Sequence, residues 1–545
     1  MWLVALSGGL AAPTARAQPQ TERRLPAVRC SVPPAIDGDL SDPAWQEAPV
    51  ATGFADEFSG ATDIDPTEAR VCYDDEAIYV AFRCHDSQPN AIVAREIRRN
   101  AEFEGEDTVT FVLDPYLARR GDDMNWFTVN ALGTGRAELA GGRARKVEWE
   151  GEWTSAARRT ETGWEAELRI PWAMLSYPAR RPLTMGINFM RRQERTRLRS
   201  HWSFLGYRYR WEQSGLWEGV EPPRAAFRPT LSLLPYASPG YLWGRGSRLR
   251  AGLDARLTLT PELTGVATLN PDFASVEGAV EGIEFSRSER FVPETRPFFL
   301  EGAEYLEANR FGAGRSGWGR PFFARRVPQF DAGVKFYGRL AERYSLGLLG
   351  AIDLGNRSDW VARITRDVGP NSYVGAYAVQ RLLPGDENLV IGIDEYIRRG
   401  FWVLRGDFAR SLGDDAGGAA AYASLRWETD RLRFLAGYTY VAPDFRAANG
   451  FIPFLDFRGW NGEIRYQHEW REGSLQRIFL ELEGMSHERT DGRFFRRNLE
   501  ADAFIVLRDD TAIRLAWEGG RFEDEHDNEF TLEFTRNFTN RFRRW

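Results

Sequence analysis

From residue 225 onward, apolar and polar residues alternate with a period of two in segments of roughly ten residues. Ala421, Ala423, Leu425 and Trp427 share one face of such a segment, and Tyr422, Ser424, Arg426 and Glu428 share the other. Val334, Phe336, Gly338 and Leu340 alternate with Lys335, Tyr337 and Arg339. Leu499, Ala501, Ala503, Ile505 and Leu507 alternate with Asn498, Glu500, Asp502, Phe504, Val506 and Arg508. Turn residues (Gly, Asp, Asn, Pro) separate the segments. A soluble two-sided sheet gives the same local pattern. Here the pattern persists to the C-terminus, its polar faces are charged, and no helical segment is present to cover a sheet. These features predict a transmembrane antiparallel β-barrel of about fourteen to sixteen strands over residues 225–545.

Residues 26–222 carry shorter strands between turn clusters. Tyr73 to Phe82 reads as a hairpin with Asp74 and Asp75 at the turn and Ile78, Val80 and Phe82 on one side. Strands are expected at 108–113, 126–130, 163–170 and 185–189. Asp42-Pro43 marks a helix start, with Asp as N-cap, Pro at the first position and Trp45 on the buried side. Many short strands with polar connections imply an antiparallel β-sandwich. The prolines of Glu221-Pro-Pro-Arg224 mark the junction with the second half. The expected fold is all-β: the sandwich, then the barrel.

One segment fits neither period. Between Asn270 and Gly302 the chain runs through Asn270-Pro-Asp272-Phe273, Glu277, and Arg290-Phe-Val-Pro-Glu-Thr-Arg296-Pro297-Phe298-Phe299-Leu-Glu301-Gly302. Two readings apply to an inward insert at about 271–320. It is either a lumen plug whose Arg290, Arg296, Glu294, Glu301 and Glu304 pair with wall charges while Phe298 and Phe299 anchor it, or a structural loop that fills the barrel. Irregular backbone at membrane depth must in either case be buried in protein.

A length of 545 residues suits two domains. The 71 basic and 78 acidic residues give a net charge of −7, so no global basic field points to nucleic acid. Residues 1–17 read as a secretory signal ending Ala15-Arg16-Ala17. That signal lacks a basic start, and Arg543-Arg544-Trp545 is a poor barrel ending, so the sequence is expected to be cut short at both ends. After the signal no run of roughly 18 apolar residues occurs, which excludes helical spans. Export together with the alternating half predicts a Gram-negative-type outer membrane protein, its lipids as surroundings and the first domain in the periplasm. Among Cys30, Cys72 and Cys84, a Cys72–Cys84 disulfide and small buried apolar residues are equal readings.

The blocks IDGDLSDPAW, YDDEAIYVAFRCHD, EDTVTFVLDP, Val129-Asn130 with Gly133, and TGWEAELRIPWAML resemble the carbohydrate-binding module family 9 type domain. The RPFFLEG core, with Pro321-Phe-Phe-Ala-Arg-Arg326 and Ala442-Pro-Asp-Phe445 through Gly450-Phe-Ile-Pro453, resembles the outer-membrane family known as domain of unknown function 5916. Members of that family typically carry such a sugar-binding domain ahead of the barrel. The resemblance implies a carbohydrate ligand, for which aromatic faces and nearby polar groups are needed. Candidates are Trp126, Trp149 and Trp153 with Arg98, Asn130 and Glu104, whereas Trp45, Trp164 and Trp172 sit in strand or helix-start motifs and read as core. Asp37, Asp39 and Asp42 look calcium-like, but turns and caps explain them without metal, and no cofactor is expected.

Catalytic motifs are lacking: there is no G-x-S-x-G, H-E-x-x-H or P-loop, and the five histidines are scattered. Gly312-Ala-Gly314-Arg-Ser-Gly317 matches G-x-G-x-x-G without the flanking strand and helix. Three roles follow from these readings. The first is glycan binding for uptake, export or envelope docking. The others are a membrane-associated glycoside hydrolase in carbohydrate catabolism, and a structural or assembly protein with an envelope protein partner.

Overall fold

The computed structural model describes residues 22–538, apart from 63–64, 122–123, 141–151, 224–229, 243–245, 261–262, 272, 274–290, 309–317, 415 and 471. The signal segment, Trp149, Asp272, Glu277, Arg290, the glycine-rich run at 312–317 and the last seven residues lie outside the described residues.

Two sheets pack face to face in the first half. One runs, in spatial order, Arg24–Pro26, Gly215–Val220, Leu183–Gln193, Thr108–Asp114, Asn125–Asn130 and Gly135–Glu138, with Leu198–His201 and Ala55–Asp56 paired at its side. The other runs Val50–Ala51, Thr67–Tyr73, Ala77–His85, Gly163–Pro171 and Thr154–Thr160. Pairing is antiparallel except between Arg24–Pro26 and Gly215–Val220. Alternation sends Ile78, Val80 and Phe82 into the core beside Phe111, Phe127, Phe189 and Trp217. Asp74 makes the expected turn, its Oδ1 accepting from the N–H groups of Glu76 and Ala77. Trp45, Trp164 and Trp172 are buried, as expected. Asp42 stands at the N-cap of Pro43–Glu47, but its carboxylate accepts from Ala35 N instead of capping the helix.

The cysteine pairing corrects the sequence reading. Cys30 and Cys72 form the disulfide, and Cys84 is a buried free thiol. On the hairpin Cys72 sits opposite Tyr79 and Cys84 opposite Thr67. Cys72 faces the cluster around Trp45, while Cys84 faces the main core. Opposite faces of one sheet cannot be bridged. Burial also pushes the Cys84 thiol up to about 12.

The second half is one sixteen-stranded antiparallel meander in which every strand pairs with its sequence neighbour. Its strands are Thr230–Leu242, Gly246–Thr260, Leu263–Leu269, Ala332–Ala341, Tyr344–Asp353, Arg357–Gly369, Ser372–Leu382, Asn388–Arg399, Trp402–Gly413, Ala419–Glu428, Leu432–Val441, Phe457–Glu469, Leu475–Glu488, Phe494–Leu507, Thr511–Phe522 and Glu525–Arg536. The burial is inside out. Val334, Phe336 and Leu340 are exposed, while Lys335, between the first two, is 0% exposed and Arg339 is buried. Ile393, Phe408, Leu425 and Ile464 repeat the outward apolar pattern. Apolar side chains outside and charges inside invert the soluble rule and give the surface of a membrane-spanning barrel.

The inner face of the sheet wraps around the insert. Val266, Leu349, Val379, Val390, Ala420, Phe457, Phe495 and Phe522, from strands across the sheet, converge on Phe298, Phe299 and Trp318 of the insert. No ladder joins the first barrel strand to the last among the described residues. The strand ends also differ: the described turns at one end all have two to five residues, whereas the other end carries the connections 270–331 and 442–456 in addition to turns of that length.

The disulfide assignment predicts the thiol count. Alkylation of the denatured, unreduced chain should add one label, mapping to Cys84, and three labels after reduction. A label on Cys30 in the unreduced chain would contradict the assignment.

Candidate functional site

The insert comes first, because its motif was the most distinctive. Asn270, at φ 48°, closes its base: its N–H donates to Asp331 O at 2.6 Å and Nδ2 to Ala251 O at 2.5 Å. Phe273 meets Phe330 edge to face. Arg296 lies 4.2 Å over the Phe299 ring and donates to the carbonyls of Val327 and Ala324 at 2.8 and 2.7 Å. Its ion pair is with Glu294 at 2.7 Å, within the insert, not with a wall charge as the plug reading required. Pro297 starts the helical turn Pro297–Leu300, whose Phe298 and Phe299 are buried.

The wall holds the end of that turn. Lys335 Nζ donates to the carbonyls of Phe298 and Glu301, each at 2.5 Å. The Glu301 carboxylate meets Arg256 at 2.8 Å and accepts from Tyr337 Oη at 2.5 Å. Gly302 is left-handed at φ 68°, and a Cβ there would fall 2.4 Å from the Tyr337 ring. Arg363 donates to the carbonyl of Glu304 at 3.3 Å. Farther along, Trp318 Nε1 donates to Asp407 at 3.0 Å, and Arg320 pairs with Phe451 of the second inward loop through two backbone hydrogen bonds. Each residue of RPFFLEG is engaged in packing or hydrogen bonding, the exposed Leu300 through its N–H to Arg296 O. The motif builds a packed filler held by the wall.

The sandwich offers an open recess instead. Trp126 and Glu104 line a cavity of about 220 Å3 with Phe103, Thr108, Thr128, Arg136 and Arg192. The register sets this up: Trp126 lies opposite Glu138, and Thr128 opposite Arg136, on one face of the sheet. Arg136 is braced by Glu102 and by Glu138. Trp126 and Trp211 meet edge to face, with ring centres 5.0 Å apart. An aromatic face beside hydroxyls and fixed charges is the chemistry that reads a polyhydroxylated ligand.

Only part of the expected set meets here. Trp153 is fully buried, packed edge to face with Phe127 and pressed against Gly135, so it presents no face to a ligand. Asn130 is also fully buried. Its Nδ2 donates to Glu106 and to Glu96 O, both at 2.9 Å, and its Oδ1 accepts from Leu132 and Thr134, so it shapes a turn. Arg98 is exposed and paired with Glu96 at 2.9 Å. Arg136 and Arg192 were missed because only strand register brings them beside Trp126, and Phe103 because a loop places it there.

The calcium-like aspartates have partners within the protein. Asp37 and Asp39 accept from backbone N–H groups, Asp39 also pairs with Arg158 at 2.6 Å, and Asp42 accepts from Ala35. Among the described residues no group of His, Cys, Asp and Glu could hold a metal.

The recess belongs to a docked domain. Trp211 sits in the loop 202–213 over the same sheet face, and the neighbouring residues reach the barrel. Arg210 pairs with Asp430 at 3.0 Å, and Glu212 lies 3.8 Å from Arg398. Arg120–Asp367, Arg180–Glu342 and Arg197–Asp510, at 3.2, 3.0 and 2.9 Å, add further pairs at the short-turn end. Beside them lies a buried polar cluster. Glu57 is 3.6 Å from Arg199 and 3.9 Å from His201, and Tyr209 Oη donates to it at 3.4 Å. Burial pushes Glu57 up to about 7, against Arg199 and Arg477, which favour its charged form, while Glu469 and Asp56 add to the rise. Burial, then Arg199, pushes His201 down to about 3, so the imidazole is neutral.

Taken together, the chain is a β-sandwich with an aromatic, hydroxyl-lined recess, docked on a barrel with an apolar exterior. Comparison with known proteins gives the sandwich a family likeness: residues 36–204 match the carbohydrate family 9 binding domain-like model. A solved structure provisionally described as a carbohydrate-binding protein, from Bacteroides uniformis, aligns at 15% identity, covering 36% of this chain and 99% of its own, with a TM-score of 0.29. Pseudomonas aeruginosa OccK11 (OpdR) aligns at 11% identity over 81% of this chain and 98% of its own, with a TM-score of 0.30. The outer membrane protein OpdK of the same organism aligns at 10% identity over 79% and 98%, with a TM-score of 0.28. No curated protein matches the chain.

Two outcomes test this geometry. Lys335→Met removes two charge-assisted hydrogen bonds and should cost about 2–3 kcal/mol. The readout is a lower temperature for conversion of the compact gel band to the unfolded one, and an unchanged temperature would contradict the role given to Lys335. For Glu57 the folded-state value lies above the ordinary 4.5, at about 7, so the folded chain holds a proton that the unfolded chain releases. Stability contributed by this group is therefore lost as pH rises across that window. Urea midpoints from tryptophan fluorescence should fall between about pH 5 and 7.5, and Glu57→Gln should flatten the slope; an equal slope in the variant would refute it.

Proposed function

We propose that this chain is an outer-membrane β-barrel protein whose family 9-type sandwich lies in the periplasm and holds a glycan in the Trp126 recess beside the barrel mouth. One observation carries the reading. The recess shares a sheet face with the loop 202–213, whose Arg210 and Glu212 reach Asp430 and Arg398 at the barrel's short-turn end. Short turns are the periplasmic feature of outer-membrane barrels, and the longer connections face outward. The match of residues 36–204 to a carbohydrate-binding family supports a sugar as the ligand. The RPFFLEG insert and the 442–456 loop, meeting inside the barrel, support kinship of this half with the domain of unknown function 5916 family. Ligand capture at that mouth serves uptake or export of glycans or glycan-derived material, or docking to the envelope.

Affinity electrophoresis of the full chain through gels containing different polysaccharides tests this. At least one polysaccharide should retard the protein. Trp126→Ala should weaken that binding at least about tenfold, a loss of about 1.4 kcal/mol. Trp153→Ala should instead destabilise the sandwich by about 3–5 kcal/mol, as removal of a core indole does. Retardation by no glycan, or full binding by Trp126→Ala, would overturn the proposal.

A further inference from the structure

The outward face of the barrel contains an interruption. Strand register places Arg366, Val374, Glu395, Gly406 and Ala423 in one row across adjacent strands, with Tyr344 and Tyr438 at its ends. In the next row Ile364, Ala376, Ile393, Phe408 and Ala421 line up. Where the small residues Gly406, Ala376, Ala421 and Ala423 fall together, the wall is recessed by about 630 Å3, between Ile393 and Phe408. That volume is in the range of small-molecule sites.

Two charges edge this apolar recess. Arg366 is exposed, with its guanidinium 5.7 Å from the Tyr344 ring. The Glu395 carboxylate lies over Gly406, where a Cβ would come within 2.8 Å of Oε1. Neither has a carboxylate or guanidinium partner among the described residues. A lipid-facing charge is costly, most at mid-depth and less toward the interface, so an occupant that answers both charges is favoured.

Its chemistry follows from the row. Arg366 suits a phosphate, which guanidinium binds through paired N–H groups. Glu395, two strands away, suits an ammonium that donates hydrogen bonds, and the apolar recess suits an alkyl chain. We propose that this recess binds one zwitterionic glycerophospholipid with a primary ammonium headgroup: phosphate on Arg366, ammonium on Glu395, and an acyl chain over Gly406, Ala421 and Ala423. An anionic glycerol headgroup brings no cation to answer Glu395, and a choline headgroup has no N–H to donate. This rests on the reading that the barrel exterior faces a membrane.

Native mass spectrometry of the full-length protein in detergent tests it, with phosphatidylethanolamine, phosphatidylcholine and phosphatidylglycerol of identical acyl chains. One phosphatidylethanolamine should stay bound per chain, with retention of the other two lower by about fivefold or more. Glu395→Gln should bring phosphatidylethanolamine down to the level of phosphatidylcholine. The double variant Ala421→Leu, Ala423→Leu, which fills the recess with lipid-compatible side chains, should abolish retention. Equal retention of all three lipids, or undiminished retention by the double variant, would overturn the proposal, as would burial of the recess in a dimer of the chain. Liposome flotation and heat-modifiable migration separate the two levels. A chain that does not float with liposomes defeats the membrane reading and this proposal together, whereas one that floats without selective retention defeats the proposal alone.

Discussion

Everything in the second half depends on how the inward charges of the barrel wall are satisfied. A sheet with an apolar exterior turns its polar residues inward, and a buried charge without partners costs several kcal/mol. Lys335 has no exposed surface, and its ammonium is held by the carbonyls of Phe298 and Glu301. Arg363 pairs with Asp394 at 2.6 Å and also reaches Glu304 O. Asp407 accepts from both Trp318 and Tyr377. The insert therefore does more than occupy space. Its backbone carbonyls and its indole supply partners that the wall needs, and its phenylalanines supply the apolar centre on which strands from across the sheet converge.

The same logic gives the motif's distinct composition a structural reason. Arg296 is spent on Glu294 and two carbonyls, Glu301 on Arg256 and Tyr337, and Gly302 on the close approach of Tyr337. Groups engaged in this way inside the fold have less left for a ligand. The sandwich recess differs in that Trp126 and its neighbours border open volume. Arginine–carboxylate pairs then fix the sandwich to the short-turn end, which couples the position of the recess to the barrel. Single pairs of this kind contribute little when exposed, but several spread over different turns determine orientation.

Much of the architecture was legible in the residues. The period-two runs placed the strands around Lys335 and Ala421, the Asp74 turn placed the first hairpin, and the loss of period after Asn270 marked the insert. Site residues were less legible. Trp126 and Trp153 look alike as letters, yet one borders a recess and the other is sealed behind Gly135. Asn130 looked like a ligand-binding amide and proved to be the polar centre of a turn.

By itself the sequence determined the local periods, the turns, and which segment could not be a strand, because those follow from backbone geometry and side-chain alternation. It also determined that two faces of each barrel strand differ in polarity. Tertiary structure alone decided which partner each face met. Cys72 bonded to Cys30 because the pleat turns Cys84 to the opposite face. Arg136 came to stand beside Trp126 through register across a strand pair, and Lys335 met Phe298 and Glu301 only because the sheet curled around the insert. Alternation specifies a face, but register and closure are long-range contacts, and no local pattern contains them.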